Sequence, residues 1–216
     1  MPMIFSVLLA MLLLACLLSF GWGMSRFFVK PKQATLGMKV TATAGLVSAL
    51  LHFRAIFSMH HVALARFSVA AAMYVLAIGL FWWAVRVNRA RSLAACFSST
   101  GTLYLTTCGP YRLVRHPFYC SYLLTWLSGM IATQDWTLLP TVMVMFAIYV
   151  TAALREEKEY ERGPLAAEYR LYSSRIGQFF PKVWKLNPSR QRDEVCSFPA
   201  QAGRAANELW KDCAVP

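Results

Sequence analysis

Residues 3–24 read MIFSVLLAMLLLACLLSFGWGM, without a charged side chain. About 20 apolar residues are enough to cross the hydrocarbon core of a bilayer, so this run reads as a membrane-spanning helix. A cleaved signal peptide would open on basic residues, and none precedes Arg26. Leu13-Leu14-Ala15-Cys16 hints at a lipoprotein signal, but the apolar run continues well past the cysteine. The run is therefore read as a retained span. The rest of the 216-residue chain agrees with it: 57% of residues are hydrophobic and only 15% charged, with a mean hydropathy of +0.44. Soluble domains are about 45–50% apolar and about 25% charged.

Working outward, apolar stretches recur at about Met38–Ser58, Val62–Val85, Pro117–Gln134 and Trp136–Leu154. The last two are joined so tightly around Asp135 that their helices must be antiparallel. The expected fold is all-α: a polytopic transmembrane helical bundle of about five spans. Residues 1–188 form one domain, with a catalytic core at about 100–182. Basic residues support this count, because cytoplasmic loops are enriched in Lys and Arg. Arg26, Lys30, Lys32 and Lys39, then Arg86, Arg89, Arg91, Arg112 and Arg115, and then Arg155 through Lys185 all fall on one side of a five-span chain. That side is expected to be the cytoplasm, with the N-terminus outside. Arg54 and Arg66 depart from the rule, either by snorkelling or because the span boundaries differ.

The net charge is +12. These bases stand beside long apolar runs, so they read as partners of anionic membrane lipids, with no nucleic acid partner. Residues 155–175 alternate charged and apolar positions at helical spacing, as expected of a cytoplasmic amphipathic helix on the membrane face. Residues 189–216 are polar, without apolar periodicity, and read as a disordered tail. Cys213-Ala214-Val215-Pro216 imitates a prenylation box, but proline is not a usual terminal residue there. Six cysteines form no CxxC and no zinc spacing, so neither a disulfide framework nor a metal site is expected. His60-His61 reads as a solvated turn, His52 as a bundle-facing histidine, and Trp82-Trp83 as an interfacial belt. Gly79 and Gly101 are isolated and make no nucleotide loop.

Polar residues gather in two places. In GPYRLVRHPFY, residues 109–119, Gly109-Pro110 signals a turn, and Pro117 suits the first position of a helix. His116 then stands at a helix entrance, where unpaired amides favour an anion and Arg112 and Arg115 add positive charge. In REEKEYE, residues 155–161, Glu156 and Glu157 follow the end of the last span. Acids at a helix C-terminus are disfavoured by the dipole, so the pair points to a cationic partner. Both clusters belong to the same membrane face. A ligand carrying a carboxylate, an ammonium, a sulfonium and ribose hydroxyls would suit them; the bland alternative is interface arginines paired with nearby acids.

GPYRLVRHPFYCSYLL (109–124) followed by LREEKEYERGPLAAEYRLYSSRIGQFFP (154–181) resembles the isoprenylcysteine carboxyl methyltransferase and phospholipid methyltransferase superfamily. Gly109, Pro110, Tyr111, Arg115, His116, Pro117, Tyr119, Glu156, Glu157, Tyr169, Tyr172 and Pro181 fit its hallmark. Ser121 stands where glycine is usual, and Tyr160 stands in for the large apolar residue that follows the acids. The resemblance implies a small helical membrane enzyme binding S-adenosylmethionine at the cytoplasmic face, with a lipophilic or lipid substrate entering from the bilayer. It places His116, Pro117, Tyr119, Tyr111, Glu156 and Glu157 around the cofactor. Arg115 or Arg112 would orient an acceptor carboxylate, and Glu156 could serve as a base.

Methyl transfer from a sulfonium is an in-line displacement. A carboxylate acceptor is already ionised, so positioning and water exclusion suffice. An amine acceptor would first lose a proton, for which a glutamate could serve. Carboxyl O-methylation is the preferred expectation. Phospholipid amine N-methylation and a non-catalytic membrane protein with a methyltransferase-like core are the alternatives. Oligomeric state is not legible in the sequence.

Overall fold

The computed structural model describes residues 2–29, 35–61, 63–88, 93–94 and 105–182. The tail and the terminal Cys213-to-Pro216 box lie outside these residues, as does Gly101. The chain is helical, with α1 (Pro2–Phe27), α2 (Leu36–Phe57), α3 (Leu64–Asn88), α4 (Pro117–Thr133), α5 (Leu139–Arg162) and α6 (Ala166–Arg175). Short 3-10 turns at Gly109–Arg112 and Trp136–Leu138 lead into α4 and α5. The two-residue segments β1 (Phe28–Val29) and β2 (Leu93–Ala94) pair in parallel, Phe28 with Leu93 and Val29 with Ala94.

Among the described residues, four segments are long and apolar enough to cross a membrane: Met3–Arg26, Leu36–Phe57, Leu64–Asn88 and Trp136–Arg162. Helix α4 takes the fifth place. Its 17 residues make it about 25 Å long at 1.5 Å per residue, near the lower limit for a span. It is the central helix, burying Tyr119, Ser121, Leu123, Thr125, Trp126, Ser128, Gly129 and Ala132 against its neighbours. Leu9, Leu13, Tyr74 and Ala77 form one packed core, and Tyr119, Trp126, Met145 and Tyr149 another. The lipid-facing surfaces stay apolar, as at Leu46, Leu50, Val75, Leu76, Met143 and Val144.

Arg54 and Arg66 have a structural reason to break the charge bias. Arg54 lies 3.9 Å from the Asp135 carboxylate, and Arg66 donates to Gln134 Oε1 at 2.8 Å. Both therefore tie α2 and α3 to the α4–α5 turn. His52 faces the bundle, as expected, and is fully buried. Its ring nitrogens lie 2.7 Å from the Ser48 carbonyl and 3.1 Å from the Trp126 carbonyl. Trp82 turns inward and donates to Ser19 Oγ at 3.3 Å, whereas Trp83 stays exposed, so only the second fits an interfacial belt.

Gly129 permits the close approach of α2 to α4. A Cβ there would overlap His52 Cδ2 and lie 3.1 Å from the Tyr74 hydroxyl. The ring is fully buried between the Ser48 and Trp126 carbonyls, which leaves it little room to retreat. Gly129→Ala is expected to destabilise the bundle by about 1–3 kcal/mol, the usual cost of overpacking, read as a lower melting temperature in detergent.

Two expectations about the C-terminal half need correction. Glu156 and Glu157 do not end a helix, because α5 continues to Arg162 and ends at Gly163. The stretch read as one amphipathic helix over 155–175 is two pieces, the end of α5 and the ten-residue α6. Gly163-Pro164 separates them, as expected of a glycine at a helix end followed by proline.

Candidate active site

The first turn of α4 meets the last third of α5. Pro117 opens α4 with His116 as its N-cap, and α5 runs antiparallel, bringing Glu156 and Glu157 to the same level. The two polar clusters therefore form one constellation.

Glu157 is its hub. Arg115 grips it with two parallel bonds, Nε to Oε1 and Nη2 to Oε2, both 3.1 Å. His116 Nε2 lies 2.9 Å from Oε1, and Gln178 Nε2 donates to the same oxygen at 3.2 Å. The Arg115 and Glu157 side chains are only 13% and 14% exposed, so this is a nearly buried, charge-assisted pair. The Arg115 Nη1 atom donates to the Ser173 carbonyl at 3.0 Å and the Ile176 carbonyl at 2.9 Å. One guanidinium thus fixes Glu157 and caps the C-terminal end of α6.

Glu156 is different. Tyr119 donates to its Oε1 at 2.5 Å, and His116 Nδ1 stands 3.5 Å from its Oε2. Its side chain remains 31% exposed. His116 thus bridges both acids. Burial opposes charge on the ring, but its hydrogen bonds to Glu156 and Glu157 and their charges outweigh it, holding the imidazole above its ordinary pKa.

The remaining expected site residues surround this core. Tyr119 stacks on His116 at 5.5 Å and on Tyr149 at 5.6 Å between ring centroids. Pro117 is buried at the helix start. Tyr111 is a brace: its hydroxyl accepts from Asn88 Nδ2 at 3.0 Å and its carbonyl from the Tyr172 hydroxyl at 2.7 Å. Arg112 closes the 3-10 turn and is half-buried. Three contributors were not singled out in the sequence: Gln178 on Glu157, Tyr149 under Tyr119, and Asn88 behind Tyr111. Trp126 Nε1 donates to the Tyr149 hydroxyl at 3.3 Å, a contact between α4 and α5 that no local pattern signals.

A family model described as phospholipid methyltransferase matches residues 53–162, just over half of the chain. The match runs from α2 through the end of α5 and takes in His116, Glu156 and Glu157. An uncharacterised protein of Schizosaccharomyces pombe is 30% identical over 99 residues, 43% of this chain. Only 26% of that relative is covered, so the chain spans about a quarter of its length. The fold, the membrane-crossing helices and the matched residues lead to one assignment: the chain belongs to the phospholipid methyltransferase family, within the isoprenylcysteine and phospholipid membrane methyltransferase superfamily.

Proposed function

We propose that this membrane methyltransferase takes its methyl group from S-adenosylmethionine and delivers it to the amine nitrogen of a lipophilic acceptor at the cytoplasmic face. The observation that carries this reading is the unequal state of the two acids. Glu157 is saturated by Arg115, His116 and Gln178, whereas Glu156 is part-exposed and keeps acceptor capacity.

The residues present fit the proposed donor. Glu156 is a part-exposed carboxylate beside the stacked rings of His116, Tyr119 and Tyr149, an acidic acceptor against an aromatic wall of the kind a cationic, ring-bearing donor needs. Glu156 would take the ammonium or ribose hydroxyls, with His116, Tyr119 and Pro117 lining the same space and Tyr111 bracing it. Bound S-adenosylmethionine supplies an electrophilic methyl group on a sulfonium, so the protein has to bind, orient and keep water away. Glu156 is also a part-exposed base for the proton an amine must lose.

The sequence favours a carboxylate acceptor because Arg112 and Arg115 both lie close to His116. The Arg115 guanidinium is instead committed to Glu157 and two backbone carbonyls, which favours the amine. The ester reading keeps Arg112 as its cation. The basic residues of the first and third loops and of the C-terminal segment support a cytoplasmic site.

Incubation of the protein in lipid nanodiscs with methyl-labelled S-adenosylmethionine and total membrane lipid tests the proposal. The expected label enters the lipid fraction, survives mild alkali, and accumulates faster as pH rises from neutral. Alkali-labile label released as methanol, with a flat pH profile, would establish the ester instead. No lipid label from protein that binds the donor would refute catalysis on lipid.

A further inference from the structure

Residues 176–182, which follow α6, stay against the bundle. Val114 and Gly177 form a parallel bridge, and the Arg115 and His116 amides donate to the Gly177 carbonyl at 2.8 Å and the Gln178 carbonyl at 3.2 Å. The next carbonyl, of Phe179, accepts from Cys120 Sγ at 3.4 Å. Cys120 lies in the first turn of α4, inside the span. The Phe179 ring packs against His116 at 6.0 Å and Phe146 at 6.3 Å between centroids. Phe146 precedes Leu154, the end of the apolar part of α5, by eight residues. At 1.5 Å per residue it stands about 12 Å inside that edge. The Phe179 ring therefore reaches into the apolar zone.

The segment then turns back. A Cβ at Gly177 would overlap the Phe180 carbonyl, so the turn is tight, and Lys182 Nζ returns to the Ser173 carbonyl at 3.1 Å and the Ser174 carbonyl at 3.3 Å. Irregular backbone at membrane depth is tolerated where protein satisfies its polar groups. The carbonyls of Gly177, Gln178 and Phe179 are satisfied in this way. Phe180 is 80% exposed at the tip. An aromatic side chain so placed is costly in water and at home among acyl chains.

We propose that Phe179 and Phe180 form a re-entrant plug beside α4 and α5: Phe180 sits among acyl chains, and Phe179 stands between the bilayer and the His116–Glu156 pair, so that a lipophilic acceptor enters by displacing Phe179. The entry role rests on the methyltransferase reading above; the dip into the bilayer does not.

A benzoylphenylalanine photoprobe at position 180, in the full chain in phosphatidylcholine nanodiscs, should yield an adduct heavier by one phospholipid. No lipid adduct at 180, while the same probe at the lipid-facing position 144 gives one, would overturn the dip. For entry, Phe179→Ala should lower the KM for the lipid acceptor and Phe179→Trp raise it, each by about threefold to tenfold, the scale of roughly one methylene group moved into or out of an apolar contact. Calorimetric affinity for S-adenosylhomocysteine should stay within about twofold. An acceptor KM unmoved in both variants would overturn the gate. A wild type that binds no donor would overturn the methyltransferase reading and the entry role with it, leaving the photoprobe to decide the dip.

Discussion

Glu157→Ala is expected to abolish donor binding and to lower the melting temperature of the detergent-purified protein more than any other single change at the site. The substitution leaves the Arg115 guanidinium, 13% exposed, without its carboxylate and also strands His116 Nε2 and Gln178 Nε2. Removing one partner of a buried ion pair costs about 3–5 kcal/mol, because the other charge remains buried and uncompensated. The loss should spread to α6, whose end is capped by the same guanidinium. Thermal unfolding followed by circular dichroism checks the loss of stability, and calorimetry the loss of donor binding. An unchanged melting temperature would mean that the charge pair relaxes freely into solvent.

The second large effect is expected at Arg115. Arg115→Lys keeps the charge but removes the planar fork, so the two bonds to Glu157 and the two to the Ser173 and Ile176 carbonyls cannot all be remade. Charge-assisted hydrogen bonds contribute about 1.5–3 kcal/mol each, so a destabilisation on the order of 2 kcal/mol is expected even if lysine recovers part of the network. Donor affinity and turnover should fall together, since the same arginine positions Glu157 and, through it, His116. An arginine that served only an acceptor carboxylate would lower turnover and leave donor affinity and stability intact. Calorimetry, melting and rate measurements on one variant separate these outcomes.

The membrane architecture was legible because lipid imposes long, uncharged runs, and each run became a helix within a few residues of its expected ends, the C-terminal end of α5 excepted. The meeting of the two polar clusters was also legible, since Asp135 and its neighbours leave no room for anything but an antiparallel return. The end of α5 was not, because hydropathy stops at Leu154 whereas the helix does not. The Arg155–Arg162 stretch is rich in Glu, Lys and Arg, all good helix formers, and that propensity carried the signal that hydropathy lacked. Arg115 was legible as important, but its partners were not: the sequence shows a cation beside His116, whereas its four hydrogen bonds go to residues 42 to 61 positions away. Gln178, Tyr149 and Asn88 contribute through contacts across the fold, and none stands in a pattern that local spacing could flag. Gly129 looks like any glycine in an apolar helix until the His52 ring is placed against it.

The most direct measurement is calorimetric titration of S-adenosylhomocysteine into nanodisc-embedded wild type and Glu156→Ala, with melting temperatures recorded on the same samples. Glu156 is part-exposed and is held by Tyr119 and His116. Its removal should leave melting nearly unchanged while weakening donor binding by roughly tenfold to a hundredfold, the value of one charge-assisted hydrogen bond. A wild type that does not bind, or a Glu156→Ala variant that binds as tightly as the wild type, would contradict a donor site built on this glutamate.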